Sequence, residues 1–149
     1  IDSKNTFATG ASYGGYMINW IAGHTDRFNA LVTHAGVFNL ESMYGTTEEL
    51  WFPEWENSGT PWQNREMYEK FSPHRFIHNC KTPMMVVHGA KDFRVPEEQA
   101  FQLFTSLQRL GIESKFLYFP DETHFVSKPQ NAKLWWNTIF DWFKKHTKG

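Results

Sequence analysis

The sequence predicts an α/β fold in which a mostly parallel sheet of about four strands is flanked by helices. Two observations predict it. Short strands that are apolar throughout alternate along the chain with amphipathic helices, a pattern typical of a parallel sheet covered on both faces. The 149 residues amount to one domain, and 40% apolar against 21% charged residues are enough for a packed core.

The first part of the chain predicts two strands around one helix. Residues 6–9 form a short β-prone run that ends at Gly10. Residues 13–22 then predict a helix that closes near Gly23, and residues 30–33 are a short apolar strand. Because each strand is brief and apolar, we expect both to lie inside the sheet.

The last part of the chain continues the alternation. Residues 84–88 predict a buried strand, and a helix begins at Pro96, whose fixed φ suits the first helical position. That helix ends at Gly111 and is followed by a strand over residues 114–119. A final helix is predicted over 131–146. Its buried side is expected to hold Trp135, Trp136, Ile139, Phe140 and Phe143.

An aromatic-rich segment over residues 38–81 interrupts the alternation. It lies between the second and third strands and contains Trp51, Trp55 and Trp62. We interpret it as an insertion of short helices and a loop, because insertions at this edge of a sheet commonly form pocket walls. The three tryptophans fit a pocket wall and the core of the insertion equally well.

The overall composition excludes several classes of protein. Fifteen basic and sixteen acidic residues give a net charge of −1, which offers no basic surface for nucleic acid or an anionic membrane. The single cysteine, Cys80, allows no internal disulfide. No apolar run approaches the roughly 18 residues of a membrane helix. No signal peptide is visible, which favours a cytoplasmic location.

The run Gly10-Ala11-Ser12-Tyr13-Gly14 predicts a nucleophilic serine. It follows a predicted strand and opens a predicted helix, the context in which G-x-S-x-G presents an exposed serine. We expect both glycines to be required by a tight turn, and the N–H of Tyr13 to face a developing oxyanion. The alternative is a glycine-rich turn that contains a serine incidentally.

A serine nucleophile needs a base, and the base needs an orienting acid. Asp92 follows the third predicted strand and His124 follows the fourth, in the chain order Ser, Asp, His that such folds use. The carboxyl ends of parallel strands meet at one edge of the sheet, where ligand sites gather. The sequence therefore predicts a triad of Ser12, Asp92 and His124.

Other residues compete for these roles. Asp121 and Glu122 are nearer to His124 in sequence, but neighbours on a short turn usually point into solvent. His88 lies in a buried strand and is better explained as a structural histidine. His34 follows the second strand, where it could border the pocket.

A metal site receives less support from the sequence. His74 and His78 are spaced i, i+4 with Cys80 close by, so a zinc site is conceivable if a helix holds both histidines. No fourth ligand suggests itself, and we prefer the interpretation without a metal. Cys80 is expected to be a small core residue, because no activating partner is evident.

Three segments resemble the prolyl oligopeptidase family of serine peptidases. They are residues 10–17 (GASYGGYM), 88–96 (HGAKDFRVP) and 121–131 (DETHFVSKPQN). The resemblance is greatest to the branch that holds acylaminoacyl peptidases and dipeptidyl peptidase 5-like enzymes, and residues 51–56 (WFPEWE) are similar to its bacterial members. It covers essentially the whole chain.

The resemblance implies a function and a set of site residues. Ser12 would be the nucleophile, Asp92 the acid, His124 the base, and the Tyr13 N–H one oxyanion donor. Family members cleave short peptides without a metal or cofactor. The residues expected to contact the substrate are Tyr16, Trp51, Trp55, Arg94 and Val95. The alternatives are a carboxylesterase or lipase, or a catalytically weak or inactive self-associating fragment.

The resemblance also implies that the chain corresponds to part of a larger protein. Family members have a β-propeller and a complete α/β-hydrolase domain of about eight strands. We therefore expect residues 1–149 to be the C-terminal half of that domain, with the insertion at 38–81. The loop that supplies the second oxyanion donor is not among these residues. An unpaired first strand would favour association, so a dimer through the sheet edge is expected.

Overall fold

A parallel sheet of four strands organises the computed structural model, which describes residues 2–149. The strands are β1 (Phe7–Ala11), β2 (Ala30–His34), β3 (Met84–Gly89) and β4 (Ser114–Phe119). The helices are α1 (Tyr13–Ala22), α2 (Leu40–Tyr44), α3 (Trp51–Glu56), α4 (Arg65–Lys70), α5 (Glu98–Arg109) and α6 (Pro129–Lys145). The predicted fold class is confirmed, and the fourth strand has the predicted bounds.

The strands follow one another across the sheet in the order β1-β2-β3-β4, and every pair is parallel. Phe7 lies opposite Ala30, Leu31 opposite Met84, and Met84 opposite Ser114. All residues of the central strands β2 and β3 are buried. This burial explains why their sequences are apolar without alternation.

Two separate cores cover the two faces of the sheet. Successive residues of a strand point to opposite faces. Leu31 therefore packs in the core that includes the α5 residues Leu103 and Leu107, whereas Val32 packs against Ile139 of α6. The two faces are thus covered by different helices, as the apolar strands predict.

The buried side of α6 differs from the prediction. Ile139 and Trp142 are buried, and Trp135 and Phe143 are partly buried. Trp136 and Phe140 are 47% and 62% exposed, so their predicted burial is wrong. Each lies one position after a residue of the buried side, and one position is a rotation of about 100° around a helix.

The segment between β2 and β3 folds as α2, α3, α4 and two 3₁₀ turns, Pro73–Arg75 and Ile77–Asn79. Tyr68 is buried at its centre, and its hydroxyl donates to the carbonyl of Gly59 at 2.9 Å. Trp51, Trp55 and Trp62 are exposed, so they do not form the core of this segment.

Candidate active site

Ser12 lies in a strained turn between β1 and α1. Its backbone has φ 58° and ψ −117°, a conformation that costs free energy for a residue with a side chain. Its N–H donates to the carbonyl of His34 at 2.9 Å, and its carbonyl accepts from the N–H of Tyr16 at 2.9 Å. Strain of this kind, held by hydrogen bonds on both sides, is typical of a functional site.

Glycines allow the strand and the helix to approach at this turn. A Cβ on Gly10 would lie 2.3 Å from the carbonyl oxygen of Gly14, and one on Gly15 would lie 2.6 Å from that of His34. A Cβ on Gly14 would have no atom within 4 Å among the described residues. The steric requirement predicted for both motif glycines therefore holds for Gly10 and is wrong for Gly14.

Asp92 and His124 are in direct contact. The Nδ1 of His124 lies 2.7 Å from Oδ2 of Asp92, whose side chain is fully buried. The other carboxylate oxygen, Oδ1, accepts the backbone N–H groups of Arg94 at 3.1 Å and Val95 at 2.9 Å. An Nδ1 proton shared with Asp92 leaves Nε2 of His124 free to accept a proton.

The three predicted triad residues follow β1, β3 and β4 and therefore share the carboxyl edge of one parallel sheet. The structure brings Asp92 and His124 together. Among residues 2–149, no hydrogen bond joins the Ser12 hydroxyl to His124. Catalytic hydrogen bonds of this kind commonly tighten only when substrate binds. Tyr13 begins α1, and the helix itself leaves the first N–H groups without a partner.

The competing histidines occupy other positions. The Nε2 of His88 donates to the carbonyl of Val95 at 2.7 Å, and burial above all lowers the pKa of His88. His34 packs edge-on against Trp135, and neither of its ring nitrogens has a hydrogen-bond partner among residues 2–149. Burial lowers the pKa of His34 to about 4. Neither histidine lines the cavity described next.

A cavity of about 640 Å³ adjoins Ser12. Its wall is mostly apolar and includes Val37, Leu40, Met43, Phe52 and Phe71. Four of the five residues expected to contact substrate line this cavity: Tyr16, Trp51, Arg94 and Val95. Trp55 does not line it and is 81% exposed.

Two polar contacts shape this cavity. The hydroxyl of Tyr16 donates to the carbonyl of Phe71 at 2.8 Å, and burial raises the pKa of Tyr16 to about 12. Arg94 forms an ion pair with Glu49 at 3.1 Å, both residues lining the cavity. This pair joins the loop that carries Asp92 to the segment between β2 and β3.

The two histidines considered for a zinc site are not held by one helix, which is the condition on which that site depended. His74 and His78 lie on separate 3₁₀ turns, and Nδ1 of His74 bonds to the hydroxyl of Ser72 at 2.8 Å. Residues 2–149 contain no group of three or more His, Cys, Asp or Glu that could hold a metal ion. Burial raises the pKa of the Cys80 thiol. Separately, no helix within residues 2–149 is long and apolar enough to cross a membrane.

Comparison with known proteins decides the family. Residues 1–149 match the prolyl oligopeptidase family over their whole length. The chain belongs to the prolyl oligopeptidase family. Dipeptidyl-peptidase 5 of Schizosaccharomyces pombe is 46% identical over 149 residues, which cover 99% of this chain and 22% of that protein. The chain thus spans about a fifth of the length of this relative.

Solved structures agree with this assignment. The uncomplexed acylaminoacyl peptidase of Pyrococcus horikoshii superposes with a TM-score of 0.88 at 28% identity, covering 96% of this chain and 24% of that one. An acylaminoacyl peptidase in complex with Z-Gly-Gly-Phe-chloromethyl ketone gives a TM-score of 0.88 at 27% identity, with the same coverage. The resemblance inferred from the three sequence segments is confirmed.

Sequence reasoning missed two features of the site. Gly15, outside the G-x-S-x-G pattern, is packed as tightly as Gly10. Glu122, considered only as a rival acid, is buried beneath the turn that carries His124. The sequence did contain a signal for Glu122. This carboxylate lies two residues before His124 and shortly before α6, which begins at Pro129, and a carboxylate is favourable near the N-terminus of a helix.

Proposed function

We propose that the chain carries the catalytic part of a serine peptidase that cleaves peptide bonds through an acyl-enzyme on Ser12. The observation that carries this proposal is the 2.7 Å contact between His124 and the buried carboxylate of Asp92, at the sheet edge where the strained Ser12 lies. Family membership and the peptidase relatives support it.

The proposed reaction has two halves. Nε2 of His124 takes the Ser12 proton as Oγ attacks the carbonyl carbon, and the new oxyanion faces the N–H of Tyr13. His124 then returns the proton to the leaving amine, which leaves an acyl group on Ser12. Water repeats the sequence in the second half and releases the acid. Asp92 holds the imidazole tautomer throughout.

The cavity supports a peptide substrate with a large apolar side chain beside the cleaved bond. Its walls are apolar, and Tyr16, Trp51 and Val95 form part of them. Arg94, paired with Glu49, contributes a charged rim. Relatives are named for dipeptides and acylated amino acids, and one was solved with a peptidyl chloromethyl ketone, so short peptides are the proposed substrate class.

Labelling with a fluorophosphonate tests the nucleophile. We expect the probe to label the folded chain, and Ser12→Ala to abolish labelling. A folded sample that resists the probe would overturn the proposal. Comparing the turnover rate of a phenylalanyl peptide anilide with that of a p-nitrophenyl ester then distinguishes a peptidase from an esterase. Losing one oxyanion donor costs roughly 10²–10³ in rate, so turnover by the chain alone should be slow.

We further propose that the 149-residue chain self-associates as a two-fold dimer through β1. This strand is an edge of the sheet and is only partly covered. Open edges of this kind pair readily with a second strand. Exposed Trp136 and Phe140 on α6 add apolar surface for association. Light scattering that shows a monodisperse monomer at micromolar concentration would refute the dimer.

A further inference from the structure

Glu122 is a buried carboxylate at the base of the turn that carries His124. It is 1% exposed, although it lies in a polar loop between β4 and α6. Its Oε2 accepts from the N–H and the hydroxyl of Ser127, both at 3.1 Å. Its Oε1 accepts from the N–H of Lys128 at 3.0 Å and from Nδ2 of Asn131 at 2.8 Å. These contacts connect Glu122 to residues 127–131, and His124 lies in the loop between them.

The four donors match the chemistry of a carboxylate. A carboxylate offers about four acceptor positions and no donor, so these contacts fill it. Burial acts to raise the pKa of Glu122, but the hydrogen bonds from Asn131, Ser127 and Lys128 outweigh it, and the pKa lies below its ordinary value. All four acceptor positions are therefore occupied by groups other than His124, which separates Glu122 from the role of the acid.

The backbone at Glu122 is attached to the loop that carries Asp92. The carbonyl of Glu122 accepts the N–H of Lys91 at 2.9 Å. Gly89 packs against the same turn, where a Cβ would lie 2.7 Å from this carbonyl and 2.3 Å from that of Thr123. The turn is thus held by its side chain to the start of α6 and by its backbone to the end of β3.

We infer that Glu122 is a positioning residue for His124, which holds the turn so that Nδ1 stays within hydrogen-bond reach of Asp92. This inference rests on the proposed role of His124 as the base. A hydrogen bond of 2.7 Å is lost when the turn moves by about 1 Å. Misplacement of a catalytic group on that scale costs up to about 10²-fold in rate.

Glu122→Gln tests the inference with little change in shape. The amide presents two donors to a site that holds four donors, so the turn should shift. Asp121→Asn is the matched control, because Asp121 is a half-exposed carboxylate in the same turn that pairs with Lys128 and also accepts from Asn131, at 3.0 Å. Both variants remove one negative charge, but Asp121→Asn keeps the buried carboxylate of Glu122, and only Glu122→Gln replaces it. Circular dichroism establishes that each is folded.

Two readouts are compared. We expect Glu122→Gln to slow fluorophosphonate labelling of Ser12 by roughly 10- to 100-fold and to remove the low-field proton NMR signal of the His124 Nδ1–H. Asp121→Asn should stay within about twofold of the parent, because it removes only the solvent-accessible ion pair of Asp121 with Lys128. A folded Glu122→Gln chain with parental labelling and an intact signal would overturn the inference.

The NMR signal separates this inference from the proposed function. If the probe does not label the parent chain, the peptidase proposal fails. The positioning role can still be decided by comparing the His124 Nδ1–H signal of Glu122→Gln with that of the parent. If Glu122→Gln does not fold, Ser127→Ala replaces it, since it removes one of the four donors and keeps the carboxylate. That variant should broaden the signal, and an unchanged signal would overturn the inference.

Discussion

His34 should make the stability of the fold depend on pH between about 4 and 6.5. The residue is 5% exposed, and both ring nitrogens lack a hydrogen-bond partner among residues 2–149. Burial is the main cause that lowers its pKa from 6.5 to about 4, and the nearby His88 and His124 act in the same direction, against Asp92. The folded chain therefore keeps this imidazole neutral where the unfolded chain protonates it.

The sign and size of the effect follow from proton linkage. Between these pKa values the unfolded state binds more protons, so the free energy of unfolding falls as the pH falls. One pKa unit corresponds to about 1.4 kcal/mol. The contribution of His34 should therefore reduce stability by about 2 kcal/mol between pH 7 and pH 5, and by about 3 kcal/mol below pH 4.

Urea unfolding of the parent and of His34→Leu at pH 7, 6 and 5, followed by tryptophan fluorescence, measures this contribution. Leucine has a similar volume and does not titrate, and the other histidines remain in both proteins. The parent should lose about 2 kcal/mol more than the variant over this interval. If the losses agree within about 0.5 kcal/mol, the buried neutral state of His34 is refuted.

Three further predictions, made with five substitutions, test the site. Gly10→Ala should unfold the chain or prevent labelling of Ser12, because its Cβ would lie 2.3 Å from a backbone oxygen, whereas Gly14→Ala should keep stability within about 1 kcal/mol in urea titrations. Equal tolerance of the two would contradict the steric argument. Asp92→Asn should slow fluorophosphonate labelling by about 10³- to 10⁴-fold in a folded chain. Trp51→Ala should raise KM for an apolar peptide and Trp55→Ala should not, since only Trp51 lines the cavity; equal KM changes would refute this.

The strands, and the placement of Ser12, Asp92 and His124 at one edge of the sheet, could be read from the sequence because their signals are local. Each strand is a short apolar run with a glycine or proline near its end, and Ser12, Asp92 and His124 each follow one strand. A parallel sheet converts this regular placement into spatial proximity at one edge. The contact between Asp92 and His124 follows from that rule, although its distance does not.

Features that depend on neighbouring elements could not be read in this way. Aromatic residues lie on more than one side of α6. The sequence therefore could not predict that Trp142 is buried and Phe140 is exposed. The freedom of Gly14 depends on which side of the turn faces the rest of the chain. The burial of Glu122 requires donors from Ser127 to Asn131, and their convergence is set by where α6 begins.

The two oxygens of Asp92 have different partners, and this difference explains the expected result of Asp92→Asn. Oδ1 accepts two backbone N–H groups of the loop that carries Asp92, and Oδ2 contacts His124. An asparagine can keep its oxygen toward the loop, which leaves its NH₂ facing Nδ1 of His124. Nδ1 must then accept, Nε2 carries the proton, and the imidazole cannot act as a base. Asp92→Ala removes both contacts, so it should destabilise the loop as well. A folded Asp92→Asn chain that labels at the parental rate would therefore show that the His124 tautomer does not control Ser12.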